Sequence, residues 1–226
     1  ISVKNSLKKQ FLTGGNIITE FEKKILKSFS VNHAIVCNSG TAALHLIYLS
    51  LGLKKGDAVL TTPITFVATA NAALMCGAEV IFADVSPLTG MLTPESIEKE
   101  LKKNRNKIKI ITLVHLGGRL CDLESIYKIA KKYDCYVVED ACHAPGAKYV
   151  SSIGKKYEIG SCKYSIASSF SFHAIKHVTM AEGGCVTTNN SKIAEIIRRK
   201  LSHGIIRKKK EEKVNKKFLD PWYYQI

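Results

Sequence analysis

The sequence predicts an α/β fold, a three-layer α/β/α arrangement around a mostly parallel sheet of seven strands. Three observations predict it. Short β-branched runs recur along the whole chain, and segments of helical apolar spacing lie between most of them. At 226 residues with 46% hydrophobic content, the chain can bury one large core. Strand–helix–strand alternation also implies right-handed crossovers, which put helices on both faces of a parallel sheet.

The elements follow in order. Phe21, Ile25, Leu26 and Phe29 share a helical face ahead of a first strand at Ala34–Cys37. Further strands are predicted at Ala58–Thr61, Glu79–Ala83, Lys109–Val114, Tyr136–Glu139, Ser168–Phe172 and Cys185–Thr188. Thr93-Pro94 reads as an N-cap followed by proline in the first turn of a helix. Asp122 is placed to cap the next helix, whose stripe is Leu123, Ile126, Tyr127 and Ala130. Ile193, Ile196, Ile197 and Leu201 mark a last helix. From Lys148 to Ser165 the periodicity is weak, which predicts a long loop or a small ribbon. Residues 1–204 are therefore expected to form one large domain. Residues 205–226 read as a basic loop leading through Asp220-Pro221-Trp222-Tyr223-Tyr224 toward a further element.

Composition excludes several classes. No run of eighteen apolar residues exists to span a membrane, and Ile1 to Gln10 carries three lysines with no apolar block of a secretory signal. Seven scattered cysteines, with no Cys-x-x-Cys pair, argue against a disulfide framework or a zinc site and for reduced thiols in a cytoplasm. The net charge is +15, and Arg198 to Lys217 holds ten Lys/Arg against two Glu, a balance of +8. That run has no aromatic interleaving, so it reads as a solvated loop or a phosphate-attracting surface rather than a nucleic-acid module.

In an open parallel sheet, ligands bind beyond the carboxyl ends of the strands. Four groups fall there. Asn38-Ser39-Gly40-Thr41-Ala42 follows a strand and opens a helix, offering free amides and hydroxyls to a phosphate, although Ser-Gly-Thr alone is an ordinary cap. Asp140 ends a strand, with His143 three residues on; alone, it is an exposed strand-end acid or a metal ligand. Ser171-Phe172-His173-Ala174-Ile175-Lys176 closes another strand, and Lys176 beside the other two groups is a candidate Schiff-base former. Phe66 begins a helix, where its face could cover a planar ring or simply pack in the core. An amine for an aldehyde, an acid for a ring nitrogen, a phosphate anchor and a stacking face together describe a site for pyridoxal phosphate.

These residues carry a resemblance. Phe170-Ser171-Phe172-His173-Ala174-Ile175-Lys176 with Thr179 and Glu182-Gly183-Gly184 is the most specific stretch. Ser39–Leu44, Thr65–Ala72, Glu139–Ala144, and His115 with Gly117-Gly118 and Asp122 support it. The chain resembles the DegT/DnrJ/EryC1/StrS aminotransferases, fold-type I enzymes that use pyridoxal phosphate and act on nucleotide-linked keto sugars. Cys142-His143-Ala144, Gly160 to Ser165 and Lys176-His177 look most like the pseudaminic-acid branch.

The resemblance implies that Lys176 binds the cofactor aldehyde and later shuttles protons, while Asp140 holds the pyridine nitrogen protonated. His143 would lie near the phenolic oxygen, Ser171 and the Thr41–Ala42 backbone would hold the phosphate, and Phe66 would stack on the ring. The implied reaction moves an amino group, from glutamate, to the keto carbon of a UDP-linked 4-keto-6-deoxy sugar, in a cytoplasmic homodimer. Another nucleotide-linked keto sugar, of perosamine or 3-keto type, and a non-catalytic regulator that keeps the cofactor are the alternatives. Gly15 and Gly117-Gly118 depart from the family pattern near the substrate side. The family also continues into a small C-terminal domain with an asparagine that reaches the partner's cofactor phosphate. The chain thus reads as a fragment, its N-terminal arm clipped, with weak or no activity expected of it alone.

Overall fold

The computed structural model describes residues 2–8 and 15–204. A short helix α1 (Ser2–Leu7) and an amphipathic α2 (Asn16–Phe29) precede β1 (His33–Cys37), α3 (Gly40–Ser50), β2 (Ala58–Thr61), α4 (Ala68–Met75) and β3 (Glu79–Phe82). Then come α5 (Pro94–Lys103), β4 (Ile108–Val114), a 3-10 turn at Leu116–Gly118, α6 (Leu123–Lys132) and β5 (Tyr136–Asp140). The chain continues through β6 (Lys148–Val150), β7 (Lys156–Glu158), β8 (Ala167–Ser171), β9 (Gly184–Thr188) and α7 (Ser191–Leu201).

Seven strands form one sheet in the order β1-β9-β8-β5-β4-β2-β3. Its pairs are parallel from β3 through β2, β4 and β5 to β8; β9 pairs antiparallel with both β8 and β1. All seven predicted strands are present, with ends shifted by about a residue. The Lys148–Ser165 interval contains the small antiparallel ribbon β6–β7.

Strand residues alternate between the two faces, and two apolar cores follow from that period. Ile111 and Val137 pack with Ile25 and Phe29 of α2, Ile97 and Leu101 of α5, and Ile126 and Ala130 of α6. Their neighbours Ile110 and Val138 pack with Leu44 and Ile47 of α3, Ala72 and Ala73 of α4, and Ile193 and Ile197 of α7. Each fully buried Ile or Leu contributes about 1.5–3 kcal/mol, so the two layers clamp the sheet between them. Arg198 of α7 clamps Glu22 of α2 with two guanidinium nitrogens, at 3.2 and 2.9 Å, and donates to the Ala34 carbonyl, tying three elements at the β1 edge.

Local chemistry sets the helix starts. Thr93 and Ser96 form a capping box around Pro94 at the head of α5, and Asp122 and Asn190 cap α6 and α7. Among the described residues, no helix is long and apolar enough to cross a membrane. The basic stretch 205–217 and the Asp220–Tyr224 segment lie outside the described residues.

Candidate active site

The parallel strands β1, β2, β4, β5 and β8 end on one edge of the sheet, where β9 begins. Chain segments leaving those ends enclose a cavity of about 350 Å³. Thr41, Phe66, Asp140, His143, Ser171 and Lys176 all line it. Five separate stretches of sequence converge there.

The first is the head of α3. Ser39 sits at the N-cap in extended backbone, and its Oγ accepts the Ala42 N–H at 3.1 Å. Ala42 does not line the cavity, and its amide is engaged by this cap. The remaining first-turn amides have no acceptor within the helix, as at any α-helix start. Two glycines let this turn approach the sheet. A Cβ on Gly40 would sit 2.9 Å from Ser171 Cβ and 3.0 Å from Cys142 Sγ, and one on Gly184 would collide with the Ser39 carbonyl. These close approaches bring the helix head beside the Ser171 hydroxyl at the end of β8.

Lys176 does not sit at a strand end, as the sequence suggested. β8 stops at Ser171, and Lys176 lies in the loop 172–183 that returns the chain to β9. The loop is fastened by Phe172 N–H donating to Gly183 O at 2.8 Å, Met180 N–H to Phe172 O at 2.9 Å, and Lys176 N–H to His173 O at 2.9 Å. These bonds aim the Lys176 side chain into the cavity, where Nζ lies 2.6 Å from His143 Nε2. On its other side, His143 Nδ1 accepts the N–H of Gly117, whose left-handed φ of 62° lets the 3-10 turn double back. Burial, and then the charge of Lys176, lower the His143 pKa below the ordinary histidine value.

Asp140 is 7% exposed at the end of β5. Thr69 Oγ1 donates to its Oδ2 at 2.8 Å, and the Cys142 N–H donates to its Oδ1 at 3.3 Å. Phe66 lies two residues ahead of α4 rather than on it, because Val67 takes the N-cap position. Its ring is 70% exposed, so the core does not use it.

His115 also lines the cavity and leads from it into a second, buried polar group. His115 Nε2 meets Glu139 Oε2 at 3.1 Å, and Glu139 Oε1 also accepts from Ser168 at 3.0 Å and from Ser165. Burial pulls the His115 pKa down, but hydrogen bonds to Cys121 and Glu139 outweigh it and raise the value to about 9. Sequence reading missed Thr69 and this pair. Thr69 had a signal: a hydroxyl four residues after Thr65 at a helix start that follows a strand end.

The donor set is one amine, one carboxylate, serine and threonine hydroxyls at a helix head, and an exposed aromatic face. It fits a flat, protonated heterocycle that carries an aldehyde and a phosphate. Among the described residues, no group of three His, Cys, Asp or Glu is placed to hold a metal.

Comparison with known proteins gives the same direction. The model of the DegT/DnrJ/EryC1/StrS aminotransferase family matches residues 2–219. A UDP-4-amino-4,6-dideoxy-N-acetyl-beta-L-altrosamine transaminase of Campylobacter jejuni is 43% identical over 204 residues, 90% of this chain and 52% of the relative. The solved structure of Helicobacter pylori PseC, an aminotransferase of pseudaminic-acid biosynthesis, superposes with a TM-score of 0.83 at 34% identity, covering 93% of this chain and 54% of that one. The Bacillus subtilis protein ntda, solved with bound cofactor PMP, gives 0.78 at 30% identity, covering 94% and 47%. The chain spans about half the length of the curated relatives it matches.

Proposed function

Because the chain belongs to the DegT/DnrJ/EryC1/StrS aminotransferase family, a family dependent on pyridoxal phosphate, we propose that it carries the cofactor-binding part of a sugar aminotransferase. The reaction moves an amino group from glutamate to the keto carbon of a UDP-linked 4-keto-6-deoxy sugar. The observation that carries the reading is the convergence of Lys176, Asp140, Ser171, Phe66 and the head of α3 on one cavity. The UDP-sugar assignment follows the Campylobacter relative.

When bound, the cofactor supplies an electron-poor ring that accepts the electron pair left at the substrate carbon when a proton departs. Lys176 would be the covalent anchor for the group, and its amine is the one placed in the cavity to carry a proton. His143, hydrogen-bonded to Lys176 Nζ, keeps that amine directed into the cavity. Asp140 would pair with the protonated ring nitrogen, and Phe66 would cover a ring face. Thr41 and Ser171 would hold the phosphate at the positive end of the α3 dipole.

Exposed apolar residues flank the cavity segments, among them Ile64, Val67, Ile175 and Val178, and they support a homodimer closing over the site. Seven free cysteines support a cytoplasmic setting.

The test is the two half-reactions, followed by absorbance in the full chain loaded with pyridoxal phosphate. Glutamate converts the bound cofactor to its amine form, and a UDP-4-keto-6-deoxy sugar converts it back. Failure of glutamate and other amino donors to convert it removes the aminotransferase reading. Conversion by glutamate, with no return by the UDP-sugar and return by another nucleotide-linked sugar, reassigns the substrate.

A further inference from the structure

Thr69 belongs to no role assigned above, yet its side chain and backbone together join Asp140, Thr65, Phe66 and Tyr48. It is fully buried, 0% exposed, in the first turn of α4. Its Oγ1 donates to Asp140 Oδ2 at 2.8 Å and is 2.9 Å from Thr65 Oγ1. Its backbone N–H donates to the Phe66 carbonyl at 3.2 Å. Its own carbonyl accepts from the buried Tyr48 hydroxyl of α3 at 3.4 Å, and that hydroxyl lies 2.8 Å from Thr112 Oγ1 of β4.

Proton accounting fixes the direction of this chain. A carboxylate has acceptors only, and a threonine hydroxyl has one proton. Thr69 gives that proton to Asp140, so the Thr65 hydroxyl must donate to Thr69. The direction holds only while Asp140 is ionised. With Thr69 on one oxygen and the Cys142 N–H on the other, the carboxylate plane is fixed and its remaining lone pairs face the cavity. The same residue anchors the backbone of Phe66, the ring that walls the cavity.

We infer that Thr69 is a positioning residue that locks the Asp140 carboxylate and the Phe66 wall into one rigid frame, setting how firmly a protonated ring nitrogen is held. This rests on the reading that the cavity takes pyridoxal phosphate. A buried hydrogen bond to a charged group contributes about 1.5–3 kcal/mol, which corresponds to roughly tenfold or more in affinity.

The experiment titrates the full chain with pyridoxamine phosphate, which forms no covalent bond and so reports the non-covalent hold alone. Ring-nitrogen protonation is read by ¹⁵N NMR of ring-labelled ligand. Thr69→Val keeps the shape and removes the hydroxyl; it is expected to weaken binding about tenfold and lower the protonated fraction. Thr69→Ser is expected to restore both to within about twofold of the parent. Parent-like affinity and ring signal in Thr69→Val overturn the inference, as does equal weakening by Val and Ser, which marks a packing role. If Thr69→Val does not fold, Thr65→Val carries the test, because it removes the hydroxyl that orients Thr69. A two- to threefold weakening supports the inference, and parent-like binding and ring signal overturn it. If the parent itself does not bind pyridoxamine phosphate, the cofactor reading falls and this inference with it. Binding by the parent with no change in the variants sinks the inference alone.

Discussion

Glu139 and Asp140 are neighbours on one strand, both carboxylates, 2% and 7% exposed, and they face opposite sides of the sheet. Glu139 points toward the α2–α5–α6 layer, where His115, Ser165 and Ser168 occupy its oxygens. Asp140 points toward the α3–α4 side, where Thr69 and one backbone amide hold it while it still lines the cavity. The difference is one of closure. A carboxylate whose partners are all internal serves the fold. One whose protein partners leave lone pairs open can take a ligand's positive charge.

The comparison breaks most sharply at the groups facing the cavity. Lys176→Ala is expected to abolish covalent cofactor retention and to cost about 10²–10⁴ in turnover for the lost proton transfer alone. Retention is checked by absorbance after gel filtration. Asp140→Asn, of the same size, is expected to lower turnover by about 10²–10³ while thermal unfolding shifts little. Glu139→Gln should do the reverse. It strands a buried histidine and costs about 3–5 kcal/mol of stability in denaturant melts, and cofactor bound to the folded fraction keeps its spectrum.

The pH dependence sharpens the contrast. His115 is raised from 6.5 to about 9 in the fold, so its stabilisation is complete below pH 6.5 and is lost as pH rises through about 9. Glu139→Gln removes that alkaline slope in unfolding free energy. His143 is lowered, so it works in the other direction: stability falls as pH drops below 6.5. The smallest effect belongs to Phe66→Ala. With the ring 70% exposed, stability moves by about 0.5 kcal/mol or less. Pyridoxamine phosphate binding weakens by about 2- to 12-fold, the equivalent of one ring–ring contact, checked by titration.

The same pair of residues shows what the sequence could reveal. Strand and helix positions were legible because Ile110 and Ile111, or Val137 and Val138, are β-branched neighbours serving opposite layers, the signature of a strand buried on both faces. The cap at Ser39 and the capping box at Thr93 were legible because hydroxyl chemistry at a helix start is local. The site groups were legible from their places at strand ends and helix heads, a motif resemblance gave them roles, and the fold gathers Thr41, Phe66, Asp140, His143, Ser171 and Lys176 around one cavity. Periodicity says which residues are buried but not which buried polar group pairs with which. His115 and Glu139 lie 24 positions apart, and Thr69 and Asp140 lie 71 apart. Only the parallel register of β4 on β5, and α4 packed over the sheet, brings them together. Lys176 was expected near a strand end, and the structure places it five residues past Ser171, in the loop that returns the chain to β9.

The central claim is that the amine of Lys176, among all the lysines of this basic chain, meets the cofactor. The full chain is incubated with pyridoxal phosphate, reduced with borohydride, digested and mapped by mass spectrometry. The account predicts one equivalent of pyridoxyl mass on the peptide carrying Lys176, and its loss when pyridoxamine phosphate fills the cavity first. Pyridoxyl groups spread over surface lysines, with Lys176 unmodified, would contradict it.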